Sequence, residues 1–208
     1  MQPEQVYRAA RRYVELAEFR GRFHSTLQDG IEQIRTFESE FARRRVTDAD
    51  ELQSRLTGCE YAVHDVVNYV FMLNEMSDAV TTRFSSVELV DVAPPNQSVP
   101  ELLGLRNAVC HNGLLGMNVA ANDNGARVYL PLENVERYAR WDEARTSAAF
   151  DRWFGEVDGN VLVVTRALSE GEGAVDAVVD ALRTQLRSEY GGSRFRRFTA
   201  AHPIYQRY

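Results

Sequence analysis

An all-α bundle of four to five helices with one small β-hairpin insertion is the fold the sequence predicts, on three observations. Apolar residues recur at helical spacing through most of the chain. The first two such stretches, over residues 3–46 and 47–83, are long and separated by little else. Between later helical patterns, Asn122-Asp123-Asn124-Gly125 sits between two short apolar runs, and Asn-Gly in that setting is a strong hairpin signal.

In the first stretch Val6, Ala10, Val14 and Ala17, then Leu27, Ile31, Ile34 and Phe41, keep to one helical face. They predict one long helix or two joined near Asp29-Gly30. Thr47 with Asp50 three residues on is an N-cap signal, and Leu52, Leu56, Cys59, Val63, Val66, Val70, Leu73 and Met76 carry a second long helix to about Arg83. Val87 to Gln97, with Pro94-Pro95, reads as loop. Ser98 and Glu101 form a capping box around Pro100, which the first turn tolerates because its amides have no helical partner. The short helix that follows is expected to end at Asn112-Gly113, placing His111 in its last turn.

Leu115 to Ala121 and Ala126 to Leu130 are the arms of the hairpin. Helical patterns resume at about Glu143 to Phe154, Val161 to Leu168 and Ala174 to Arg187. Gly171-Glu172-Gly173 reads as a helix-breaking loop, and Gly191-Gly192 as the end of the last helix. Residues 1–190 are thus expected to form a single helical domain and 191–208 an arm or tail.

Composition narrows the function. A chain of 208 residues supports one ordinary core. All 24 of its basic residues are Arg, so a Walker A loop, Schiff-base chemistry and a kinase-type lysine are excluded. Arginine keeps its proton and grips phosphate with a planar fork, which suits anion binding and not base catalysis. The net charge of -6 argues against broad coating of nucleic acid, so phosphate contacts should be local. Arg43-Arg44-Arg45 and Arg194-Phe195-Arg196-Arg197 are the basic runs, read as solvated faces. Neither an apolar leader nor a membrane-length apolar stretch is visible, so a cytoplasmic location is expected. Cys59 and Cys110 read as small core residues without a disulfide, and the scattered His and Cys predict neither metal nor cofactor.

The segment that could do chemistry is Arg106-Asn107-Ala108-Val109-Cys110-His111. With about 100° per residue and Arg106 at zero, Asn107 falls at about 100°, His111 at about 140° and Gly104 at about 160°. Leu102, Leu105 and Val109 fall between about 260° and about 320°, a separate stripe that would anchor the helix in the core. The spacing alone recurs at Arg197 and His202, but that copy follows a glycine break and runs into Pro203. Cys110 diverges from His111 by about 100° and does not form a nucleophile–base pair with it. On the second helix Glu60, His64 and Asn68 stand at four-residue steps, a polar stripe that could face the motif and support it.

Arg106-Asn107-x-x-x-His111 on a short helix within a helical bundle resembles the motif of the HEPN domain family (higher eukaryotes and prokaryotes nucleotide-binding). The resemblance rests on about six residues and the helical architecture. It implies metal-independent RNA cleavage, with His111 as the base toward the 2′-hydroxyl, Arg106 stabilising the phosphate, and Asn107 orienting the substrate or the imidazole. It also implies a homodimer whose two motif helices share one groove, RNA as partner, and a toxin or defence role. Members silenced by a partner nucleotidyltransferase often carry tyrosine two residues after the histidine; Gly113 stands there, so that control does not carry over, while an antitoxin protein binding elsewhere stays open. Two other readings compete: a non-catalytic nucleotide- or RNA-binding regulatory module of the same family, and a helical protein–protein adaptor.

Overall fold

The computed structural model describes residues 2–44, 48–84, 102, 105–109, 115–123, 125–134 and 161–201. It is mostly helical with a small antiparallel sheet, as the sequence predicts. Helix α1 spans Pro3–Arg44 and α2 spans Ala49–Phe84. At about 1.5 Å per residue they reach about 63 and about 54 Å. Of the two forms expected for the first stretch, the unbroken helix is the one adopted, running straight through Gly30. The cap of α2 sits one residue beyond the expected Thr47, which lies outside the described residues: Asp48 Oδ1 accepts the Asp50 N–H at 2.9 Å.

Strand β1 (Asn118–Asn122) pairs antiparallel with β2 (Gly125–Pro131), Asn122 opposite Gly125 across a two-residue loop. Along β2 the side chains alternate, with Ala126, Val128 and Leu130 buried, so one face of the sheet rests on the core. A third strand, β3 (Val161–Val163), extends the sheet by pairing with Tyr129 to Pro131. This corrects the expectation of helix from Val161. The run Val161-Leu162-Val163-Val164 has no helical period of its own, and the open edge of β2 captures its first three residues.

Helix α3 (Val164–Tyr190) follows without a break, and this is the second correction: Gly171-Glu172-Gly173 lies inside it. Gly171 is there because of packing. A Cβ at this position would fall 2.2 Å from Leu102 Cδ1 and 3.0 Å from Leu102 Cγ, so only hydrogen lets α3 lie against that buried leucine. The helix does end at Gly191-Gly192, but the chain then re-enters helix as α4 (Ser193–Ala200). The expected arm or tail over 191–208 therefore includes a docked element: Phe195 is buried edge-on to Tyr13, and Phe198 meets Tyr7 in the same way. The expected loop at Val87 to Gln97, the capping box of Ser98, Pro100 and Glu101, and the helix at Glu143 to Phe154 lie outside the described residues.

Helix α1 is the central element, packing against α2, α3, α4 and the hairpin. Most of the described buried apolar residues of these elements form one cluster, which includes Phe23, Leu73, Leu105, Leu130 and Leu182. A polar seam runs beside it. Arg20 meets Asp176 and Asp180 at 2.9 Å, and His24 Nε2 lies 2.8 Å from Asp176.

Two buried carboxylates fasten the hairpin to the long helices. Glu38 of α1 accepts the Val128 N–H at 2.8 Å, and Glu60 of α2 accepts the Met117 N–H at 3.2 Å. Burial pushes the Glu38 carboxyl above its ordinary value, against the Val128 hydrogen bond and the nearby Arg127 and Arg35. A carboxyl whose folded value is raised contributes stability below its unfolded value and loses that contribution as pH rises through the folded one. Glu38→Gln keeps an oxygen acceptor and cannot ionise. Its urea midpoint should therefore gain on wild type as pH is raised from about 4 to about 7. A difference that stays flat over that range would contradict the assignment.

Candidate functional site

Residues 105–109 are helical, with Leu102, Leu105, Ala108 and Val109 buried and Arg106 and Asn107 half-buried. The anchoring stripe predicted for this segment is thus in the core, and the two polar residues lie off it. His111, together with Gly104, Cys110 and Gly113, lies outside the described residues.

Arg106 is held on two sides. Its guanidinium carbon sits 4.1 Å from the ring centroid of Phe71 on α2, a cation–π contact, and its Nη1 donates to Asn107 Oδ1 at 3.0 Å. Its Nε is buried and has no hydrogen-bond partner among the described residues, and no described carboxylate lies within ion-pair distance. A half-buried cation fixed in orientation, with donor capacity left over among the described residues, is what an anion-binding position requires.

Among the described residues, Glu60, His64 and Asn68 are not joined in one hydrogen-bonded group. Glu60 is taken up by the Met117 amide, its Oε2 buried without a partner among the described residues. His64 and Asn68 are partly exposed and bonded to each other, Asn68 Nδ2 lying 3.1 Å from His64 Nδ1. Asp65 lies 3.7 Å from the same His64 nitrogen. The residue that sequence reasoning missed is Phe71. Its signal was available in the helical spacing of α2: counted from Glu60, Phe71 falls at about 20°, His64 at about 40° and Asn68 at about 80°. Arg106 is therefore seated on the α2 face that carries His64 and Asn68.

Cys59 belongs to the same helix and is chemically silent. It is 1% exposed, and its thiol is pushed up to about 12, first by burial and then by Glu38 and Glu60, against Arg55. It stays protonated near neutral pH and is not a nucleophile. In a Cys110→Ala protein, a thiol reagent at about pH 8 should leave Cys59 unmodified until denaturant unfolds the chain; rapid labelling of the folded protein would refute this.

Among the described residues, no group of three His, Cys, Asp or Glu side chains is placed to hold a metal, and no helix is long and apolar enough to cross a membrane. Compared with protein-family models, curated proteins and solved structures, the chain matches none of them.

Proposed function

We propose that the protein is a metal-independent endoribonuclease of HEPN type, acting as a toxin or defence effector in the cytoplasm. The observation that carries this reading is the setting of Arg106: stacked on Phe71, bonded to Asn107, and facing no described carboxylate. A cation held in this way is ready for a phosphate before one arrives, and needs no reorganisation as charge builds on it.

The chemistry asks little more of the protein. RNA brings its own nucleophile, so a base of near-neutral pKa suffices, and His111 is the residue of that type in the motif. In this mechanism His111 takes the 2′-hydroxyl proton as the oxygen attacks the adjacent phosphorus. Arg106 binds the phosphate oxygens, and Asn107 holds the guanidinium in position. The bond to the 5′-oxygen breaks, that oxygen takes a proton, and the products are a 2′,3′-cyclic phosphate and a 5′-hydroxyl. The proton comes from an acid, which His111 of a second copy supplies in a symmetric homodimer with a shared groove.

The test is incubation of mixed RNA with the purified chain in excess chelator, beside His111→Ala. Cyclic-phosphate ends from the wild type alone are the expected result. Salt-sensitive RNA binding without cleavage would replace this reading with the regulatory binding module. Neither binding nor cleavage by a folded protein would leave the adaptor reading.

A further inference from the structure

The second basic run, Arg194-Phe195-Arg196-Arg197, is used in an ordered way by the fold. Helix α4 turns Phe195 into the core and packs Phe198 on Tyr7, so its apolar side is occupied by α1. Arg194, Arg196 and Arg197 are left exposed on the other side. The corner with α3 adds Arg187, also exposed, and Arg183, whose guanidinium carbon lies 4.3 Å from the Tyr13 ring centroid and whose Nε is buried without a partner among the described residues. The corner is tight because of Gly191: a Cβ there would lie 2.1 Å from the Arg187 carbonyl oxygen.

These arginines differ from most of those along α1 and the first part of α3. Arg8, Arg11, Arg20, Arg22, Arg55 and Arg166 each meet a carboxylate. Arg187, Arg194, Arg196 and Arg197 meet none among the described residues. The imbalance is visible in the sequence as well. From Ala181 onward the chain holds Arg183, Arg187, Arg194, Arg196, Arg197 and Arg207 against a single acid, Glu189, although acids outnumber bases by 30 to 24 in the whole. Concentrating cations without a carboxylate partner among the described residues on one corner of an acidic protein, as Arg187, Arg194, Arg196 and Arg197 do, raises self-repulsion, which a bound polyanion relieves.

The surface also has relief. A cavity of about 500 Å³ is lined by Arg187, Arg194 and Tyr190, and one of about 450 Å³ by Arg187, Arg196 and Tyr13. Arg187 borders both, so the two adjoin around the corner. Arginines and aromatic rings bordering the same hollows suit a flexible strand whose bases are unpaired, because bases stack on such groups while arginines take the phosphates. A duplex keeps its bases inside. A lipid surface would use the apolar side of α4, which α1 already covers.

We propose that the α3–α4 corner is a second RNA-binding surface, in which Arg187, Arg194, Arg196 and Arg197 hold the backbone of single-stranded RNA away from Arg106. The proposal rests on RNA being the ligand, as in the function proposed above, and does not require that cleavage occur. The test uses the full chain carrying His111→Ala, so that binding is read without cutting, and a labelled oligouridylate about 12 nucleotides long. Adding Arg194→Gln, Arg196→Gln and Arg197→Gln together should weaken binding by about tenfold or more. It should also reduce the slope of log affinity against log salt by about 2, near 0.7 for each lost phosphate contact. If the triple variant fails to fold, Arg194→Gln and Arg197→Gln singly should each lower the slope by about 0.7.

Unchanged affinity and slope in folded variants would overturn the proposal. So would a loss seen only with vesicles containing phosphatidylserine, or only in salt-sensitive self-association of the chain. In a protein that cuts RNA, the triple variant should raise KM with kcat preserved. A protein that binds RNA through these arginines and never cuts it would retain this surface and remove the nuclease reading.

Discussion

Alanine at His111 or at Arg106 is expected to abolish most RNA cleavage, by different routes. Removing a general base costs about 10²- to 10⁴-fold in rate, and removing a charge-stabilising donor about 10²- to 10³-fold in kcat. Arg106→Lys should fall nearly as far as Arg106→Ala, since an ammonium keeps the charge but loses both the planar stack on Phe71 and the fork that bonds Asn107. Stability should behave in the opposite way. Arg106 already leaves a buried Nε without a partner among the described residues, so truncating it relieves a desolvated donor even as it removes the stack. Melting temperature should therefore move little while cleavage collapses. An Arg106→Ala protein that melts much earlier and cuts as well as wild type would make the residue a structural prop. Phe71→Leu separates the contributions further, keeping apolar bulk while removing the ring face, and should lower kcat less than Arg106→Ala does.

Much of the fold was legible because it is written in local terms. The face formed by Val6, Ala10 and Val14 continues to Ile34, and the stripe from Leu56 to Leu73 is buried as its spacing requires. The hairpin was legible from four turn residues. What was misread depends on partners distant in sequence. Val161 to Val163 become strand only because β2 offers an edge, and Gly171 cannot carry a side chain because Leu102 lies against it. The same holds for α4. Two glycines before an arginine-rich segment look like the start of a tail, until Phe195 and Phe198 find Tyr13 and Tyr7 on a helix at the other end of the chain.

The site divides in the same way. Helical arithmetic separated Arg106 and Asn107 from Leu102, Leu105 and Val109 without any knowledge of the fold. It could not say that Asn107 would bond Arg106 itself, that Phe71 would lie beneath it, or that Glu60 would turn to a backbone amide of the hairpin. Side-chain pairing across helices is set by their relative rotation, which no single periodic pattern contains.

Gly171→Ala is expected to destabilise the fold by about 1–3 kcal/mol, the usual cost of overpacking, even though alanine is the better helix former by about 1 kcal/mol. The added methyl has to share space with Leu102, which is 2% exposed and has no solvent to retreat into. Gly173, further along the same helix, is the internal control, because nothing lies within 4 Å of its Cβ position. Gly173→Ala should raise stability by about 0.5–1 kcal/mol through helix propensity alone. The pair of substitutions thus predicts opposite signs from identical chemistry, read as urea midpoints. A second cycle identifies the neighbour: with Leu102→Ala in place, the extra penalty of Gly171→Ala should shrink or reverse, giving a coupling energy of about 1 kcal/mol or more. Two additive substitutions would mean that α3 and the motif segment do not meet there. The consequence reaches the proposed chemistry, because Leu102 precedes Arg106 by four residues in the chain. An α3 pushed away from Leu102 should lower cleavage more than its loss of stability accounts for, while Gly173→Ala leaves cleavage untouched.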